Sequence, residues 1–202
     1  MKNTWNKMAN KYDKATNKMF AEANRKVISQ AKRYCKKQDI VLDVGCGTGL
    51  IIQELAPYVS KVKAIDTSPG MIQVAQTKNI SNIEWEVNDI FGINMNNKKY
   101  SVITAFNLLL YVEHIDEFLS YTYDSLPDQG YFISVTDCLG ELNIIVKYVM
   151  LLGDKLGIFP NMKMFKNQEL KRKICSKGYQ IVYEEIVCER SSNYLIIAQK
   201  RE

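Results

Sequence analysis

Hydrophobic and polar positions change rhythm twice along the chain. Between Lys18 and Lys37, Val27, Ile28, Ala31, Tyr34 and Cys35 fall on one side of a helical wheel. Arg25, Lys26, Lys32, Arg33, Lys36 and Lys37 fall on the other, which predicts an amphipathic helix with a cationic outer face. From Ile40 onward, short apolar runs alternate with helical segments. The pattern predicts strands near 40–44, 62–66, 83–88, 100–106 and 130–136, and helices near 49–58, 68–78, 113–126 and 167–177. Such alternation predicts an α/β fold, a doubly wound and mostly parallel sheet with helices on both faces. Two further apolar runs, Gly178 to Val187 and Asn193 to Lys200, are separated only by Cys188-Glu189-Arg190-Ser191-Ser192. That connection is too short for a helical crossover, so a seven-stranded sheet ending in an antiparallel hairpin is expected.

Composition narrows the class. The chain has 202 residues, 47% of them hydrophobic, with ten glycines and four prolines. This is ordinary globular composition with no linker-like stretch, and one domain over residues 1–202 is expected. The runs Leu108 to Val112 and Ile144 to Leu152 fall well short of the ~20 apolar residues that span a bilayer. The basic N-terminus lacks the apolar core of a secretory signal, so the expected compartment is the cytoplasm. Five widely spaced cysteines and the single His114 argue against a zinc site or a disulfide framework, and no metal is expected. Net charge is +5, but residues 1–38 alone carry 11 Lys/Arg against Asp13 and Glu22. The rest of the chain is therefore acidic, and 1–38 reads as a basic helical cap.

Chemistry enters at Val41-Leu42-Asp43-Val44-Gly45-Cys46-Gly47-Thr48-Gly49, a buried strand running into three glycines and then a helix. Glycine is needed where backbone turns sharply and where a ligand must approach the main chain. The next strand ends at Asp66, where an acid can accept both hydroxyls of a ribose. A dinucleotide-binding oxidoreductase would show G-x-G-x-x-G; here the third position is Leu50.

The spacing Gly45-x-Gly47-x-Gly49 instead resembles motif I of the class I S-adenosylmethionine-dependent methyltransferases, a Rossmann-like family, with Asp66 matching its ribose acid. Asp66-Thr67-Ser68-Pro69-Gly70-Met71 is similar to the family's acid-x-Ser-x-x-Met segment, Asn88-Asp89-Ile90 to its adenine-cupping turn, and Ala105 through Val112 to its fourth-strand motif. The resemblance implies that S-adenosylmethionine is the cofactor. The Gly45, Gly47 and Gly49 backbone would approach its methionine part, Asp66 hold the ribose with Thr67 beside it, and Met71 and Ile90 pack on adenine. Asp89 would bond the adenine amino group, Asn107 touch the methionine moiety, and Asp43, a carboxylate at a buried strand end, support the site. Ala9-Asn10-Lys11-Tyr12-Asp13 resembles the A-x-x-Y-D segment of quinone-type and other small-molecule members, whose tyrosine closes over the cofactor. Tyr12 is thereby expected in a lid.

Methyl transfer from a sulfonium requires orientation and exclusion of water, with a base only if the acceptor is a phenol or alcohol. Candidates at strand ends are Tyr111, Glu113, His114 and Asp137. Asn107-Leu108-Leu109-Leu110 lacks the prolines of base-methylating enzymes, which argues against nucleic acid. The expected reaction is in-line transfer to a small, partly hydrophobic acceptor. The segment 139–165, whose helix is apolar nearly all round, is expected to cover the acceptor pocket or to form a homodimer interface. Two alternatives stay open: a catalytically silent cofactor-binding or regulatory module using the basic N-terminal helix to bind an anionic partner, and a nicotinamide-dependent oxidoreductase.

Overall fold

A computed structural model describes residues 2–93, 100–155 and 162–201. Thirty residues free of glycine and proline form one helix, α1 (Lys2–Ala31), which a 3-10 turn at Lys32–Tyr34 terminates. The helix expected at Lys18 to Lys37 therefore begins much earlier, and the Ala9 to Asp13 segment is part of it. Ala23, Val27 and Ala31, spaced by four, are buried against the sheet. Several of the cations opposite them are spent on the chain itself. Lys37 Nζ donates to Pro57 O at 2.9 Å, Lys32 lies 5.5 Å from the Tyr58 ring centre, and Lys26 pairs with Glu22 at 3.8 Å.

Seven strands follow: β1 (Ile40–Val44), β2 (Lys61–Asp66), β3 (Ile83–Val87), β4 (Val102–Phe106), β5 (Tyr131–Asp137), β6 (Tyr179–Cys188) and β7 (Asn193–Lys200). Their order is β3-β2-β1-β4-β5-β7-β6, with β7 antiparallel to both neighbours and every other pairing parallel. The chain thus winds outward from β1 in one direction and then from β4 in the other, so these two neighbours flank the topological switch point. Ligands of open α/β sheets bind in the crevice beyond the carboxyl ends of such strands.

The helices are α2 (Ile52–Leu55), α3 (Pro69–Gln76), α4 (Ile115–Ser125), α5 (Ile144–Lys155) and α6 (Asn167–Cys175). α2 is shorter than the expected 49–58 because Gly49 is left-handed and a 3-10 turn containing Pro57 ends it. Two apolar layers sandwich the sheet. Val27, Leu55, Val62 and Val102 fill the α1/α2 side, and Leu42, Phe118, Phe132 and Leu170 the α4/α6 side. Adjacent Val41 and Leu42 feed opposite layers, which is why β1 reads as continuous apolar sequence rather than alternating. By the same parity Asp43 points to the α1 side.

α5 departs from expectation. A helix apolar nearly all round should be covered, yet Ile144 (74% exposed), Ile145 (73%), Tyr148 (64%) and Val149 (57%) face outward. Its charged Lys147 turns inward instead, Nζ donating to Gly140 O at 3.2 Å. No helix among the described residues is long and apolar enough to cross a membrane.

Candidate active site

The turn after β1 carries Gly45 (φ +66°), Gly47 (φ +54°) and Gly49 (φ +77°), all in the region that disfavours a side chain. Their surroundings give them different tasks. A Cβ on Gly47 would meet nothing within 4 Å, because this glycine faces open cavity. On Gly45 it would lie 2.6 Å from Leu108, and on Gly49 2.3 Å from the Trp85 ring. Gly49, expected at the cofactor, does not line the cavity; it makes room for Trp85. Gly45 and Gly47 do line it.

β2 delivers Asp66 to this turn, where its Oδ2 accepts the Gly47 N–H at 2.9 Å and its Oδ1 the Ser68 N–H at 2.8 Å. Burial raises the pKa of this carboxyl while the two amide bonds pull it down. Each oxygen retains acceptor capacity, so the group can still receive two ribose hydroxyls. Thr67 and Met71 line the same cavity. Beyond β3, Asp89 caps a 3-10 turn by accepting the Phe91 N–H at 3.0 Å, which leaves Ile90 buried against the cavity and Asp89 at its exposed rim.

α1 roofs the cavity. Asn6 Oδ1 accepts the Gly70 N–H at 2.9 Å and the Ser68 hydroxyl at 2.7 Å, and a Cβ on Gly70 would stand 3.1 Å from the Asn6 Cα. Asp13 accepts the Thr48 hydroxyl and pairs with Lys78 at 2.9 Å. Between these two anchors Tyr12 is placed over the cavity, and burial raises its phenol pKa. Trp5 packs edge-on against Tyr12 and Tyr111, with centroids at 6.2 and 5.2 Å.

Asp43 sits in a small side recess rather than in the main cavity. It is 2% exposed, accepts the Thr104 hydroxyl at 2.5 Å, and burial pushes its carboxyl up to about 7.

At the other end, β4 closes with Asn107 in the left-handed region (φ +53°), held by its N–H to Val135 O at 2.7 Å. β5 ends at Asp137, and the antiparallel register sets Asn193 directly opposite. The Asn193 amide donates to Asn107 at 3.1 Å and to Asp137 Oδ1 at 2.8 Å, so one side chain joins the ends of three strands. Burial raises the Asp137 and Tyr111 pKa values. His114 precedes α4 without capping it and lines both the main cavity and an adjoining outer depression that includes Met164 and Phe165. The described residues of 139–165 reach that depression but not the main cavity, and Phe159 lies outside the described residues. Asn6, Asn24 and Asn193 were not singled out as site residues by sequence reasoning. Asn24 had a readable signal, since it continues the four-residue spacing Tyr12, Thr16, Phe20 along α1.

All these elements enclose one cavity of about 590 Å³. Its lining takes in Asp89 and Ile90, Gly47 and Asp66, and Asp137 and Tyr111, and its volume is in the range of small-molecule and cofactor sites.

Comparison with known proteins agrees with this geometry. A family described as "Methyltransferase domain" matches residues 41–130. The chain is 26% identical over 136 residues to the malonyl-[acyl-carrier protein] O-methyltransferase of Bacillus cereus, covering 65% of this chain and 50% of that one. It is 24% identical over 152 residues to the ubiquinone biosynthesis O-methyltransferase of Bartonella bacilliformis, covering 71% and 61%. The chain therefore spans about half to three fifths of these relatives' lengths. Among solved structures, a chain from the complex of the Haloferax volcanii Trm112 methyltransferase activator with a methyltransferase superposes with TM-score 0.80 at 13% identity, covering 98% of both. The magnesium protoporphyrin IX methyltransferase of Synechocystis, solved with S-adenosylhomocysteine, gives 0.68 at 16%, covering 88% and 83%. Residues 41–130 thus match a methyltransferase domain, the fold is shared with solved S-adenosylmethionine-dependent methyltransferases, and S-adenosylmethionine is the cofactor that these matches support. The nicotinamide reading is thereby set aside.

Proposed function

We propose that the chain is an active enzyme that methylates a hydroxyl oxygen of a small, uncharged, partly apolar acceptor. The observation that carries this reading is the lining of the cavity. Trp5, Met8, Leu110, Tyr111, Val112 and Phe118 give it apolar walls, to which we assign the acceptor, and among its described lining residues there is no lysine or arginine. A phosphate or carboxylate acceptor buried there would lack the cation that such groups require. The acids that do line it, Asp66, Asp89, Glu113 and Asp137, suit a cofactor of net positive charge instead.

S-adenosylmethionine supplies the electrophilic methyl group. The protein orients the acceptor in line with it, excludes water beneath the α1 roof, and takes up the acceptor's proton. Asp137 is the group assigned to that last task. Burial raises its proton affinity toward the range a general base needs, and Asn193 fixes its orientation. Tyr111, whose hydroxyl burial keeps protonated, and His114 at the mouth help position the acceptor. The relatives named as O-methyltransferases support oxygen as the methylated atom.

The test is incubation with methyl-deuterated S-adenosylmethionine and a panel of phenols, catechols, carboxylic acids and amines, read by mass spectrometry. Labelled methyl ethers are expected together with S-adenosylhomocysteine. Esters or methylamines as the sole products would overturn the acceptor class, and cofactor binding without any turnover would favour the silent module.

A further inference from the structure

We infer that Asn24, on α1, holds the carboxylate of the cofactor's methionine moiety; this rests on the methyltransferase reading. Asn24 is 8% exposed, and its Nδ2 has no hydrogen-bond partner. A buried amide N–H left unpaired is costly and calls for an explanation. The position supplies one. Asn24 lies two helical repeats beyond Thr16 on the stripe that roofs the main cavity, and it also walls the side recess occupied by Asp43, Gly45 and Gly47. It therefore stands where the amino-acid end of the cofactor would pass the open face of Gly47.

The chemistry of the recess matches an amino-acid zwitterion. Asp43 offers a carboxylate for the ammonium, and a donor is then needed for the carboxylate. The recess has no lysine or arginine among its described lining residues. Much of the glycine turn is also committed: the Cys46 N–H goes to Ile65 O (2.9 Å), the Gly47 N–H to Asp66 (2.9 Å) and the Gly49 N–H to Cys46 O (2.8 Å). Among the described residues lining the recess, Asn24 Nδ2 is the buried side-chain donor left without a partner. Two residues on opposite sides of the recess, one from α1 and one from β1, would thus read the two charges of one amino acid.

The test compares ligands that differ only at this end. Calorimetry would measure S-adenosylmethionine against its decarboxylated analogue, which keeps the ammonium, and S-adenosylhomocysteine against 5′-methylthioadenosine, which lacks the whole amino-acid part. For Asn24→Ala, the affinity for each carboxylate-bearing ligand should fall about tenfold while the truncated partner changes less than twofold. Asn24→Asp, placing a negative charge beside the carboxylate, should lose more, and Asn24→Ser, which keeps a donor, less. Equal weakening of full and truncated ligands would overturn the inference by showing that Asn24 only supports the fold. Unchanged binding of S-adenosylhomocysteine by a folded Asn24→Ala variant would overturn it as well. Wild-type protein binding none of the four ligands would instead overturn the cofactor assignment on which the inference stands.

Discussion

The two ends of the cavity are built on different principles. At the end we assign to the cofactor, two central groups are backbone or are pinned by backbone: Gly47 presents an open main chain, and Asp66 is held by two amide bonds from the turns beside it. At the end we assign to the acceptor, the surface consists of side chains from distant segments. Trp5 and Met8 come from α1, Leu110 and Tyr111 from the turn after β4, Phe118 from α4, and Asn193 from β7. A shared cofactor demands one backbone geometry, whereas an acceptor pocket assembled from side chains can be recut without disturbing the sheet. Variants at the two ends should therefore separate cofactor affinity from acceptor kinetics.

The largest effect belongs to Asp66→Ala. It removes the carboxylate offered to the ribose hydroxyls and also orphans the Gly47 and Ser68 amides that shape the turn. Two charge-assisted bonds at ~1.5–3 kcal/mol each imply a loss in S-adenosylhomocysteine affinity on the order of a hundredfold to ten-thousandfold by calorimetry. A folded variant with wild-type affinity would remove Asp66 from the site.

Asp137→Asn comes next. If the carboxylate takes the acceptor's proton, kcat should fall about a hundredfold while cofactor affinity stays within about twofold. A matched loss of cofactor binding would place Asp137 on the cofactor side and blur the contrast between the two ends. Trp5→Ala removes the ring that bridges Tyr12 and Tyr111 and should raise the acceptor KM about tenfold with kcat less affected. If S-adenosylhomocysteine affinity fell by the same factor, Trp5 would belong to the roof over the cofactor instead.

What was legible in the sequence divides along the same line. The β1 strand, the glycine turn and Asp66 lie within one short stretch, and local spacing announces them because local backbone makes the site. The closing hairpin follows from the short connection between its strands, whereas the order of the parallel strands comes from the structure. Gly49 shows the limit: its spacing fits the cofactor motif, but Trp85, distant in sequence, decides that its missing side chain serves packing. Asn193 acquires its role only through the Asp137 pairing in an antiparallel register, which no local pattern encodes. α5 inverts the rule used to read α1. α1 turns its apolar stripe in and many of its lysines out, whereas α5 shows Ile144, Ile145 and Tyr148 to solvent and sends Lys147 to Gly140 O. Hydrophobic periodicity finds both helices, but only packing tells which face is inside.

The smallest expected effect is the most diagnostic, because it isolates Asp43 on the cofactor side. Its folded pKa of about 7 lies well above the ordinary 3.8, with burial as the largest cause. The folded protein therefore keeps a proton that the unfolded chain releases. This contribution favours folding most below about pH 4, is lost as pH rises from there to about 7, and is flat beyond. A cofactor ammonium in the recess favours the ionised form, so binding near neutrality must expel that proton. Affinity for S-adenosylhomocysteine should accordingly rise about fourfold from pH 6.5 to 8, the range over which a group titrating near 7 goes from mostly protonated to mostly ionised. Calorimetry in buffers of different ionisation enthalpy should count a fraction of one proton released at pH 7. Asp43→Asn should abolish both the slope and the released proton, and its stability relative to wild type should improve between pH 4 and 7. A proton count near zero for wild type would mean that Asp43 stays neutral beside the ligand, and the ammonium would then have to be held by carbonyl oxygens of the glycine turn.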